Sequence, residues 1–121
     1  MFILDRNNPA YLRISATGRL GASDYDKLET ALEAELARRG GRAPLLLDLK
    51  GWRGWSIGGL LRDLRFDLRH RRSFPRIAVV GDRRWHQLLT RAAKPIFSGP
   101  MRYFDAAREG DAAAWVSESG N

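Results

Sequence analysis

Apolar and polar positions alternate over Tyr11 to Thr17, where Leu12, Ile14 and Ala16 fall on one side and Arg13 and Ser15 on the other. That period of two is the mark of a half-buried strand. Phe2 to Asp5 is a shorter run of the same kind, and the Asn7-Asn8-Pro9 turn between the two predicts a hairpin. Beyond Gly18 and Gly21 the period changes. Tyr25, Leu28, Leu32 and Leu36 recur at three and four residues, with Ser23 or Asp24 as the cap and Gly40-Gly41 as the stop, which predicts an amphipathic helix. Leu45-Leu46-Leu47 with Leu49 is a continuous apolar run between Pro44 and Gly51, the pattern of a strand covered on both faces. A second helix is predicted from about Ser56 to Arg71, and Ile77-Ala78-Val79-Val80, ended by Gly81-Asp82, repeats the buried-strand pattern. A third helix carries Trp85, Leu88, Leu89 and Ala92 on one face and stops at Lys94-Pro95. Met101 to Phe104 reads as a last strand, and Asp111 to Ser117 as a short terminal helix packing Trp115 and Val116.

The order is therefore β-β-α-β-α-β-α-β-α. Helices between the later strands imply an α/β fold with a mixed, largely parallel sheet, an N-terminal β-hairpin and crossover helices. No repeat, low-complexity tract or long linker divides the chain, so residues 1–121 are expected to form a single domain. At this length a chain buries about two-thirds of the surface it exposes when unfolded and needs neither disulfide nor metal. The absence of cysteine excludes thiolate catalysis, zinc knuckles and iron–sulfur ligation, and two isolated histidines offer no metal spacing. No cofactor is expected. Asp5 and Arg6 interrupt what would be the core of a signal peptide, and no later run reaches the ~20 apolar residues of a membrane span. The expected location is the cytoplasm, with peripheral contact to the inner face of the membrane as a further expectation.

Charge sharpens this picture. The chain carries 21 basic and 14 acidic residues, a net charge of +7; residues 1–61 hold nine against seven, 62–102 eleven against three, and 103–121 one against four. The basic region is the middle third. On the second predicted helix Leu60, Leu61, Leu64 and Leu68 form one stripe, Arg62, Arg65, Arg69 and Arg72 a basic stripe beside it, and Phe66 projects opposite the leucines with Trp55 near it. Aromatics flanked by arginine off the core face suggest an anionic membrane or an acidic partner; cover by the chain ends or by a second subunit is the alternative.

In open α/β sheets ligands meet the carboxyl ends of the strands, here the loops after Leu49 and Val80. Gly51-Trp52-Arg53-Gly54-Trp55-Ser56-Ile57-Gly58-Gly59 is a glycine-rich helix entry, but it lacks the Gly-Lys-Ser/Thr ending of a P-loop and the spacing of a dinucleotide fingerprint. Ser56 as a helix cap is its plainest role. Trp52, Trp55 and Trp85 can line a pocket there or pack as core. Asp48 and Asp82 can converge as paired carboxylates or serve as ordinary caps. His70 and His86 are expected at the surface, and Asp63 and Asp67 in intrahelical pairs with arginine. Recognition-helix, RNP and zinc-finger motifs are absent, so nucleic acid is not an expected partner.

Tyr25-Asp26-Lys27-Leu28, Leu45-Leu46-Leu47-Asp48-Leu49 with Gly54-Trp55, Asp63-Leu64-Arg65-Phe66 with Leu68-Arg69-His70, Arg76 to Asp82 with Trp85, Ala93-Lys94-Pro95, and Arg102-Tyr103-Phe104-Asp105 together resemble the bacterial SpoIIAA-like family. The resemblance covers most of the chain. It implies a STAS-like fold, in agreement with the element order, and a likeness to CRAL-TRIO domains, which hold apolar ligands. STAS-type anti-sigma-factor antagonists switch on a phosphorylated serine within an Asp-Ser-Ser-Gly-type motif. That motif aligns with Ser56-Ile57-Gly58-Gly59, which puts Gly58 in the phosphoacceptor slot and Ser56 two residues early. The family does not imply an enzyme.

Two expectations follow. The first is a non-enzymatic STAS-like domain that binds a small apolar or lipid-like ligand near an anionic membrane, through Trp52, Trp55, Ser56, Phe66 and Trp85, with Arg62, Arg65, Arg69, Arg72 and Arg83 facing head groups or a partner. The second is a protein-interaction regulator that uses the same surface without a pocket and without the usual phosphoacceptor. A homodimer is compatible with either. A hydrolase using Asp48 or Asp82 is a weaker third.

Overall fold

The two N-terminal strands pair as expected: β1 (Phe2–Asp5) runs antiparallel to β2 (Leu12–Leu20), with Phe2 opposite Ala16 and Asp5 opposite Arg13. In this computed structural model, which describes residues 1–55, 72–95 and 99–118, β2 is followed by α1 (Ala22–Arg38), β3 (Leu45–Trp55), β4 (Ile77–Gly81), α2 (Arg84–Ala93), β5 (Met101–Asp105), a 3-10 turn (Ala106–Arg108) and α3 (Glu109–Ser117). The sheet order is β1-β2-β3-β4-β5, and β2 through β5 are parallel. The predicted helix over 56–71 lies outside the described residues.

Parallel strands in sequence order, joined by right-handed crossovers, put their helices on one face of the sheet. α1 and α2 accordingly share a face, over a core that includes Leu12, Ile14, Leu45, Leu49, Ile77 and Val79. α3 follows the last strand and is no crossover; it takes the opposite face, where Ala112 and Val116 meet Leu46, Ala78, Val80 and Phe104. The unbroken run Leu45-Leu46-Leu47 is explained by this, since its alternate residues serve two cores.

Three local departures matter. α1 begins at Ala22, one residue before the expected caps; Gly21 occupies the cap position, and Asp24 reaches back to accept its N–H at 2.9 Å. The helix ends at the predicted glycines, where Gly41 N–H donates to the Leu36 carbonyl at 2.7 Å. Arg39, just past that end, donates to the buried Glu35 carboxylate at 3.1 Å and to the carbonyls of Arg6 and Asn8 at 3.1 Å each, so one guanidinium ties the hairpin turn to the helix. The largest departure is in β3. The stretch read as a glycine-rich loop continues the strand to Trp55, paired with β2 up to Leu20, and the pairing is irregular at two places. Gly54 permits this with φ +122, a conformation closed to other residues.

Candidate functional site

The C-terminal ends of β3, β4 and β5 bring together Trp52, Asp82, Trp85, His86, Tyr103 and Asp105. Trp52 is 5% exposed. Its ring centroid lies 4.6 Å from Trp85 and 5.7 Å from His86, the latter stacked, and Trp85 meets His86 edge-on at 4.4 Å. Trp52 and Trp85 therefore converge as expected from sequence, but ring against ring, with no space between them for a ligand.

His86 is fully buried, which corrects its expected place at the surface. The inward face of α2 is Trp85, Leu89 and Ala93 flanked by His86 and Thr90, whereas Leu88 is 56% exposed and Ala92 is exposed. Trp85, Leu89 and Ala93 form a stripe that either flank can widen, and hydrogen bonding decides between them. His86 Nε2–H has the Trp52 carbonyl at 3.2 Å, and the Thr90 hydroxyl donates to the His86 carbonyl at 2.9 Å, so both polar groups enter the core with partners. This fixes Nδ1 as the bare nitrogen. It makes no hydrogen bond among the described residues, with Asp82 Oδ1 3.7 Å away. Gly81 makes the approach possible: a β-carbon there would stand 2.8 Å from Nδ1 and 2.9 Å from the Tyr103 hydroxyl. Burial lowers the His86 pKa from its ordinary value; the Trp52 carbonyl and Asp82 oppose that, and Arg83 adds to it. Burial raises the Tyr103 phenol, and the Asp105 and Asp82 carboxylates push it the same way. At neutral pH the site thus favours a neutral imidazole and a neutral phenol.

The expected convergence of Asp48 with Asp82 does not occur. Asp48 points to the opposite face of the sheet, where Arg13 Nη2 lies 2.7 Å from its Oδ2 and 3.0 Å from Glu109 Oε2. Lys50 closes the network through its own ion pair with Glu109, and its main-chain N–H donates to Asp48 Oδ1 at 3.0 Å. The hydrogen bond from Lys50 holds the Glu109 carboxyl below its usual range; burial opposes this, and Arg13 reinforces it. Each acid here has a basic partner, so the cluster fastens the first residue of α3 to the sheet. Glu109 and Arg13 escaped sequence reasoning. The only signal was Arg13 on the polar side of β2, with nothing local to name its partner.

Arg72 and Arg83 are exposed. Ser56, Arg62, Arg65, Phe66 and Arg69 lie outside the described residues, as do Asp63, Asp67 and His70, the side chain of Trp55 and the phosphoacceptor slot at Gly58. A shallow polar groove of about 220 Å³ runs between α2 and β5, lined by Gln87, Thr90, Arg91, Lys94, Arg102 and Tyr103. Among the described residues no group of three acids or histidines could hold a metal ion, and no helix is long and apolar enough to cross a membrane.

A family model described as SpoIIAA-like matches residues 11–117. Among solved structures, the chain is similar to an uncharacterized protein of the DUF3478 family with a SpoIIAA-like fold from Shewanella loihica PV-4. The two share 28% identity with a TM-score of 0.79, over 96% of this chain and 92% of that one. No curated protein matches.

Proposed function

The chain belongs to the SpoIIAA-like family, and from that premise we propose that it is a non-enzymatic module that acts by docking to another protein. The observation that carries this reading is the closure of the strand ends, where the rings of Trp52, Trp85 and His86 pack against one another. With that corner filled and Asp48 on the far face of the sheet, the described residues offer neither an apolar chamber at the strand ends nor the expected pair of converging carboxylates. What they offer is exposed positive charge, at Arg72, Arg83, Arg84, Arg91 and Lys94. Such charge favours an anionic partner and speeds its encounter.

The apolar-ligand reading would now have to rest on Trp55 and Phe66, outside the described residues, because Trp52 is committed to the core. Native mass spectrometry of the protein purified from its own host, followed by extraction of bound molecules, separates the two. A stoichiometric protein partner is the expected result. A copurifying apolar molecule, or retention of the bare chain by vesicles of acidic lipid, would overturn the docking reading.

A further inference from the structure

We propose that the outer edge of β5 is a docking strip for an acidic, extended segment of a protein partner, which adds to the sheet as a further strand. This rests on the reading of the chain as a protein-docking module and names its surface.

β5 ends the sheet, and among the described residues its ladder is with β4 alone. Ile77 N–H donates to the Pro100 carbonyl at 2.9 Å. Successive residues of a strand turn their main-chain groups to opposite sides, so the N–H and C=O of Met101 and Tyr103 and the N–H of Asp105 point away from β4, the Asp105 carbonyl opening the 3-10 turn that follows. A row of unpaired donors and acceptors is a template for one more strand.

Charge selects which strand. On one side of the edge, α2 presents Gln87, Arg91 and Lys94 to the groove, which Tyr103 also lines. Arg91 and Lys94 are exposed and make no ion pair among the described residues. On the other side, the Arg102 guanidinium lies over Phe104 at 5.0 Å and over Trp115 at 5.4 Å, with no carboxylate partner among the described residues. The side chains of an added strand alternate between these two sides. Carboxylates of either parity would therefore meet a cation, Arg91 or Lys94 on one face and Arg102 on the other. Asp82 and Asp105 are negative at the C-terminal end of β5, and the nearby Arg108 is engaged by Asp111 at 3.0 Å. The acidic stretch must then lie toward Met101. Basic residues on an edge also discourage wrong pairing, so the same side chains that repel a second basic edge select an acidic one.

The test uses the full chain and two probes, an alternating Glu-Val octapeptide and its Lys-Val counterpart, both with blocked ends. Titration calorimetry gives affinity, and amide hydrogen exchange followed by NMR gives the place. The Glu-Val peptide is expected to bind and to slow exchange of the Tyr103 and Asp105 amides by at least about tenfold; the Lys-Val peptide is expected not to bind. Reversing two exposed charges, in Arg91→Glu/Lys94→Glu, is expected to weaken binding about tenfold or more while leaving the fold intact. Asp105 has φ −65, which suits proline. Asp105→Pro removes only one outward N–H relative to Asp105→Ala and is expected to bind about fivefold more weakly than it. Binding without protection of β5 amides, equal binding of both peptides, or indifference to charge reversal would each overturn the strip. So would a dimer whose β5 amides are already protected without peptide. If a partner captured in the preceding experiment binds Arg91→Glu/Lys94→Glu as tightly as the unaltered chain, the strip is wrong and the docking module stands. If only an apolar ligand is found, the module itself is wrong.

Discussion

His86 makes acid sensitivity a test of the strand-end packing. Its ring is fully buried with burial as the dominant influence on its pKa, so the folded state keeps it neutral below the ordinary value of 6.5 that the unfolded chain retains. The unfolded state therefore binds the extra proton first. Stability from this residue is complete above about pH 6.5 and is lost as pH falls from there toward the lowered folded value. For an imidazole that stays neutral throughout, the loss between about pH 7.5 and about pH 5.5 is RT ln(1 + 10) less a small term at the upper limit, on the order of 1 kcal/mol. The Trp52 carbonyl and Asp82 favour the charged ring and reduce this figure, which is an upper bound. Stopping near pH 5.5 keeps the carboxylates out of the measurement. Urea unfolding followed by tryptophan fluorescence should show this loss in the unaltered protein and not in His86→Gln, whose amide nitrogen can still donate to the Trp52 carbonyl without titrating. An NMR titration of the ring gives a second reading independent of the variant. Equal losses in the two proteins, or a ring that protonates at or above its ordinary value, would mean that the folded state holds a charged His86–Asp82 pair instead.

Three further outcomes follow from the same contacts. Gly81→Ala places a methyl group 2.8 Å from His86 Nδ1 and 2.9 Å from both His86 Cβ and the Tyr103 hydroxyl, so the His86 and Tyr103 side chains must give way. The expected cost is about 1–3 kcal/mol, read by denaturant midpoint. Arg39→Ala leaves the Glu35 carboxylate, 6% exposed, without its close partner and frees the hairpin turn, an expected loss of about 2–3 kcal/mol that Glu35→Gln in the same chain should partly restore. Lys50→Met removes the main influence holding the Glu109 carboxyl low, so a carbon-detected titration should find it nearer its ordinary 4.5. The stability Glu109 contributes is present above that value and lost as pH falls below it, and this acid-side loss should shrink in the variant.

The strands and helices that sequence exposed were those whose burial is periodic. Arg13 and Ser15 against Leu12, Ile14 and Ala16 read as one covered face, and Leu45-Leu46-Leu47 as two, because solvent and core impose those patterns residue by residue. The end of β3 was not legible. Gly51 and Gly54 carry no side chain to show a period, and the strand survives there only because β2 runs alongside as far as Leu20. The rotation of α2 escaped for a different reason. Leu88 and Ala92 are more apolar than His86 and Thr90, and only a carbonyl offered from β3 across the core makes the polar flank the buried one. The Arg13–Asp48–Glu109 cluster joins three elements far apart in sequence, so its residues are individually visible while their meeting is a matter of register. At the strand ends, sequence brought the right tryptophans into one neighbourhood and could not say that they would close on each other.

The excess positive charge of residues 62–102 acquires a direction when the two edges of the sheet are compared. Near β1, Arg39 is engaged by the turn carbonyls and Glu35, and Arg13 by Asp48 and Glu109, while Arg6 is exposed with no ion pair among the described residues. Near β5, Arg91 and Lys94 have no ion-pair partner among the described residues, and Arg102 rests on aromatic rings. Cations spent on internal acids stabilise the fold and are neutral to a visitor, whereas cations left beside an unpaired strand cost little in water and acquire their full value only when an anionic partner displaces that water. That contrast is the reason the proposed docking strip is placed at β5, and charge reversal at Arg91 and Lys94 is its test.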